Sequence, residues 1–154
     1  MKLKPEQNSK QNVELFLLWE HIGSNNGFIA SNQFFYNNVK DVALKIIIHD
    51  FTTCLKDENQ HLERLLKKKG SRIVMPQYKG ISSGRNETDL EISAALSMNI
   101  ATSLVKTSKA LGQANNEYTL LMYGHFHMKK AILGAKLLQL SKEKYWISVS
   151  YKYQ

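Results

Sequence analysis

The residues of greatest chemical promise are Glu58 and His61, an acid and an imidazole three positions apart in Glu58-Asn59-Gln60-His61. On a helix that spacing puts both on one face. Bundles that hold two metal ions take a Glu from each of two helices and a Glu-x-x-His from each of the other two, because carboxylates bridge hard ions and imidazole completes the shell. Here the second such pair is missing: His127 has Gly124 three residues before it, and His125 has Met122. A reduced metal site built from Glu14, Glu58, His61 and His127 is the alternative the sequence leaves open. Counting ~1.5 Å per helical residue, however, spreads those four over roughly 12 Å of bundle height. The favoured reading is structural, with Glu58 and His127 as buried polar residues held by neighbours such as Thr or Ser hydroxyls. No catalytic, cofactor-binding or metal-binding residue is therefore assigned.

Other candidates are weaker. Cys54 is the one cysteine, which excludes an internal disulfide and any Cys-rich metal site. Of its neighbours His49 and Asp50, only Asp50 shares its helical face, so the thiol is expected to be buried and inert. His21 beside Glu20, and His49 beside Asp50, are expected at the surface. No Gly-rich phosphate loop, nucleophile elbow or paired-carboxylate pattern is present.

The elements that would position these residues are helical. With 154 residues, 43% of them apolar, the chain is long enough for one domain and short for two. Four segments carry helical periodicity, at about 10–38, 41–69, 88–112 and 115–144. The second has the clearest stripe, Leu44, Ile48, Phe51, Leu55, Glu58, Leu62 and Leu65, interrupted only by the acid. The third opens with a capping box, Thr88-Asp89-Leu90-Glu91, and its stripe is read as Leu90, Ala94, Ser97, Ala101, Leu104, Ser108 and Leu111. Gly112 supplies a stop, and Asn115 or Asn116 caps the fourth, whose stripe is read as Leu120, Gly124, His127, Ala131, Gly134 and Leu138. Small residues there would let a neighbouring backbone come close. The first segment is the least regular, since Gly23-Ser24-Asn25-Asn26-Gly27 favours a loop; Leu15, Leu18, Ile22, Ile29 and Tyr36 keep phase through it and predict a continuous helix. Residues 146–154 alternate Ile147, Val149, Tyr151 and Tyr153 with polar residues, predicting an extended tail on the bundle.

Loop length sets the topology. Antiparallel neighbours need only about 2 to 8 connecting residues, yet residues 70 to 87 separate the second and third segments. Eighteen extended residues reach roughly 59 Å, more than the ~40 Å of a 27-residue helix. A full-length crossover is thus expected, with the second and third helices as parallel neighbours, the ferritin-like order of an all-α four-helix bundle.

The formal charge of +8 invites an anionic partner. Lys67, Lys68 and Lys69, and Lys142 and Lys144, sit where cations meet helix C-termini, which accounts for much of the excess. Lys2, Lys4 and Lys10 would join the 67–69 cluster at one basic end. Without an aromatic-interleaved basic motif, specific nucleic-acid binding is not expected. No apolar run approaches a membrane span, and MKLKPEQNSKQN is too polar for a signal peptide.

The run Leu121-Met122-Tyr123-Gly124-His125-Phe126-His127-Met128-Lys129-Lys130, continued as AILGAKLLQLSKEKYWI, resembles the C-terminal signature of a domain-of-unknown-function family from spore-forming Bacillus-type bacteria. The likeness extends to Asp89-Leu90-Glu91-Ile92, Ala94-Ala95-Leu96-Ser97, Leu111-Gly112-Gln113, Trp19 and Gly27, nearly the whole chain. The resemblance implies a ferritin-like bundle, several members being described as spore-coat or coat-F-like proteins. This chain departs in a shortened middle loop, in its YKYQ end, and in carrying Gln11 where relatives often have His. The expectation is a non-enzymatic, basic bundle of the cytoplasm or the spore, without a cofactor. It would act through its surface as a homo-oligomer (a dimer) or with other coat-like proteins, and not with membranes.

Overall fold

The computed structural model describes residues 5–70 and 87–147, with side chains from residue 12 onward. Four helices make up the described chain: α1 (Pro5–Asn38), α2 (Val42–Lys68), α3 (Asp89–Gln113) and α4 (Glu117–Glu143). Their ends follow local chemistry. Asp41 begins α2 by accepting the Leu44 amide at 2.9 Å, Thr88 Oγ1 accepts that of Glu91 at 3.2 Å, and Asn116 Oδ1 that of Thr119 at 2.9 Å. Each side-chain acceptor satisfies an amide that has no partner within its helix. At the far end of α4, Tyr145 takes a left-handed φ of 56° while Ser141 O accepts the Trp146 amide at 2.9 Å, the closing bond of a Schellman turn.

α1 is continuous through Gly23–Gly27. The weak helix formers there are held from outside: Asn25 Nδ2 donates to Asn59 Oδ1 at 3.0 Å, and Asn59 Nδ2 donates to Asn26 Oδ1 at 2.9 Å. About two turns further, Asn32 Nδ2 donates to Thr52 Oγ1 at 3.1 Å. Tertiary amide bonding to α2 thus overrides propensity.

α2 matches its sequence stripe closely. Leu44, Ile48, Phe51, Leu55, Glu58 and Leu62 are all buried, with Leu66 and not Leu65 completing the row. Each such aliphatic or aromatic side chain contributes about 1.5–3 kcal/mol by leaving water. In α3 and α4 the stripes are displaced. The buried row of α3 is Ile92, Ser93, Leu96, Ile100, Ser103 and Thr107, while Leu90, Ala94, Ser97, Ala101 and Ser108 are exposed. In α4 the buried row is Met122, Tyr123, Phe126, Lys130, Leu133, Leu137, Leu140 and Ser141. Leu120 and Leu138 are exposed, and Gly124, His127, Ala131 and Gly134 sit half-buried on the flank towards α3. Lys130 is the reason the true row of α4 is hard to see, since a cation in its middle breaks the apolar pattern. Nor do Gly124 and Gly134 mark a close backbone approach: a Cβ at either would meet Leu111 or Ile100 at ordinary contact distance, 3.8 and 3.5 Å.

Contacts at the two ends define the topology. Asp89, opening α3, accepts the amides of Lys40 and Asp41 at 2.9 Å, and Lys144, closing α4, stands 3.1 Å from Asp41. At the other end Glu14 of α1 meets both Lys69 and, at 3.2 Å, Asn115 between α3 and α4. α2 and α3 therefore start at the same end and run parallel, so residues 70 to 87 join opposite ends of the bundle. This is the connectivity of ferritin-like bundles with one long crossover. The expectation that α2 and α3 are neighbours is corrected: α2 packs chiefly on α1 and α4, and α3 on α4, leaving α2 and α3 across the diagonal. Each short hairpin places its own two helices side by side, and the two hairpins then join through α2 and α4. The crossover itself, the tail from residue 148 and the side chains of Lys2, Lys4, Lys10 and Gln11 lie outside the described residues. No described helix is long and apolar enough to cross a membrane.

Candidate functional site: a buried carboxylate with two partners

Three ionisable side chains from three helices meet in the core. Glu58, on the buried stripe of α2, has no solvent exposure, nor has Lys130 of α4. Lys130 Nζ donates to Glu58 Oε2 at 2.8 Å. His21 of α1, 6% exposed, brings Nε2 to 2.6 Å from Glu58 Oε1, a close contact bent away from good hydrogen-bond geometry. The His21 ring stacks on Tyr123 of α4, centroids 5.8 Å apart.

Burial of Glu58 opposes its charge, but the His21 contact and the Lys130 ammonium outweigh it and hold the carboxyl below its ordinary value. Tyr123 moves the other way: burial, and then the Glu58 charge, push its phenol up to about 12. Cys54 is buried, and desolvation raises its thiol to about 11, which makes it a poor nucleophile. Glu58 Oε2 accepts from Lys130, His21 stands against Oε1, and Lys130 has no surface. The centre ties α1, α2 and α4 into one register.

The four residues of the alternative metal set do not converge. Glu14 lies at the bundle end with Lys69 and Asn115, and Glu58 is held by His21 and Lys130. His61 is half-buried, its Nδ1 2.9 Å from the Asp57 carbonyl oxygen and its ring edge-on to Phe126 at 5.3 Å. His127 is half-buried between α3 and α4, its Nδ1 2.8 Å from Thr107 Oγ1. Among the described residues no group of three or more His, Cys, Asp or Glu is placed to hold a metal ion. His127 thus has the hydroxyl partner expected of it. Glu58 is buried as expected, but its partners are charged or ionisable groups, not hydroxyls.

Sequence reasoning missed both partners. His21 was expected at the surface beside Glu20, yet only Glu20 is exposed; His21 shares the face of Leu18, Ile22 and Asn25. Lys130 could have been found from the row Tyr123, Phe126, Lys130, Leu133 and Leu137, whose spacing is as helical as the row chosen and whose residues are larger.

Fold and site together define a class: an all-α four-helix bundle with one crossover, its core centred on a carboxylate held by an imidazole and an ammonium. The chain belongs to the family described as "Protein of unknown function (DUF3231)", whose model matches residues 2–149. It is 30% identical over 152 residues to the "Uncharacterized protein YvdQ" of Bacillus subtilis, covering 93% of this chain and 88% of that one. A crystal structure from Bacillus halodurans, titled a "putative spore coat protein", is similar with a TM-score of 0.77 and 34% identity, over 92% of this chain and 93% of that one.

Proposed function

We propose that this protein is a non-enzymatic structural bundle that works by self-association, in the manner of a spore-coat component. The observation that carries this reading is the contrast between its interior and its outer face. Inside, Lys130 bonds to Glu58 with His21 close against the same carboxylate, and His127 pairs with Thr107, so these groups are spent on holding helices together. Outside, α4 presents Leu121, Met128 and Ile132 to solvent, at 73%, 62% and 49% exposure, in one row at steps of seven and four. Such a row suits packing against a second copy. The Bacillus halodurans structure described as a "putative spore coat protein" supports the same assignment.

Sedimentation velocity over a concentration series tests it. The parent chain is expected to form a dimer or larger species, and Leu121→Glu with Met128→Glu to shift it to monomer while the fold is kept. A parent that stays monomeric throughout would defeat the reading. Iron, zinc and manganese provide the second arm. A metal site occupied a hundredfold above Kd would stabilise the fold by about 2.7 kcal/mol, and no such shift in Tm is expected.

A further inference from the structure

The seam between α1 and α3 is where the bundle fails to close. Glu20 and Lys106 meet across it at 2.7 Å near the surface, and Glu14 meets Lys69 at its end. Behind these pairs, among the described residues, lies a cavity of about 520 Å³. That is within the roughly 300–1,000 Å³ of small-molecule sites. Leu17, Leu18, Leu65, Val105 and Ala110 make its walls, and its inner end reaches His21 and Tyr123. Its rim holds three cations, Lys69, Lys106 and Lys109, against two carboxylates, Glu14 and Glu20. Two of the cations are paired; Lys109 has no carboxylate at salt-bridge distance among the described residues.

We propose that this cavity binds a single-chain amphiphile with an anionic head, an acyl carboxylate, whose head lies at Lys109 and whose chain runs inward along Leu17, Leu18 and Leu65. The electrostatics set this direction. The inner end is lined by the buried His21 and Tyr123, and the nearby Lys130 is already taken by Glu58, so a carboxylate lodged there would lose its water without gaining a free ammonium. At the rim the ammonium groups stay in water on flexible stems that cover apolar surface. The surplus of cations there disfavours a cationic head.

Calorimetric titration with dodecanoate below its micelle concentration tests this, with dodecanol and dodecyltrimethylammonium alongside. Saturable binding of one dodecanoate per chain is expected, about tenfold or more tighter than either control, a gap of about 1.4 kcal/mol. Lys109→Glu should erase that preference, and its exposed position leaves the fold intact. Ala110→Trp and Leu17→Trp, which fill the cavity from half-buried positions, should each abolish binding, whereas Leu121→Glu on the outer face of α4 should not. Equal affinity for all three head groups, binding that survives both Trp variants, or no saturable binding to the parent would overturn the proposal.

Discussion

The α1–α2–α4 core and the α1–α3 seam are built from similar helices, yet they are held in opposite ways. In the core, Glu58, Lys130 and His21 are desolvated and mutually engaged, and the surrounding Ile22, Leu55 and Leu62 have no exposure. In the seam, the ionic contact is Lys106–Glu20, with Lys69 at the end of α2 meeting Glu14 beside it, both pairs partly exposed and a cavity behind them. Charge pairs at water-like dielectric hold little; the same pairs in the interior cannot be broken singly without leaving an uncompensated ion. The contrast teaches that the chain concentrates its geometric specificity on one side and leaves the other adaptable.

Removing one member of the buried centre should show the largest effect. Lys130→Ala strands the Glu58 carboxylate and should cost about 3–5 kcal/mol in urea unfolding. Glu58→Leu combined with Lys130→Met should recover a good part of that loss, since apolar isosteres of a buried pair are often tolerated. A Lys130→Ala variant as stable as the parent would erase the distinction between the two regions.

Acid probes the same side. Because the folded state holds the Glu58 carboxyl below the ordinary value of 4.5, the stability it supplies is fully present above that value. It is lost as pH falls through the depressed folded value. Glu20 and Asp41 are lowered too and act in the same direction. Parent and Glu58→Gln melting curves should therefore differ most near neutral pH and converge in acid. A gap that widens on acidification would contradict the geometry.

His127 belongs to a third seam, α3 with α4, and should fall between the extremes. Its loss removes one partner of the fully buried Thr107, whose hydroxyl keeps the Ser103 and Leu104 carbonyls, and leaves a hole. His127→Ala is expected to cost about 1–3 kcal/mol, read from Tm or the urea midpoint. An unchanged midpoint would place the ring outside the packed structure.

Lys106→Ala should matter least. The Lys106 side chain is one quarter exposed and its Glu20 partner about half, so the pair should be worth about 0–1 kcal/mol and less in high salt. A loss comparable to that of Lys130→Ala would mean that the open seam is a structural clasp after all.

Four helices, their caps and the crossover were legible along the chain, because periodicity, capping residues and loop length are local or one-dimensional quantities. Thr88 and Asn116 cap as their types dictate, α2 buries the stripe its spacing marks, and an 18-residue connection suits helices that run parallel. The buried rows of α3 and α4 were not legible. Both helices carry apolar residues on more than one face, as Met98, Val105, Leu121 and Met128 show by remaining exposed, so periodicity offered several rows and no means of choosing. The tertiary structure chose by pairing. Lys130 can occupy a core row of α4 only because Glu58 meets it from α2, and His21 can turn inward from α1 because the same carboxylate has a second oxygen. Burial of a charge depends on a partner up to 72 residues away in sequence, and no reading of one helix at a time contains that partner.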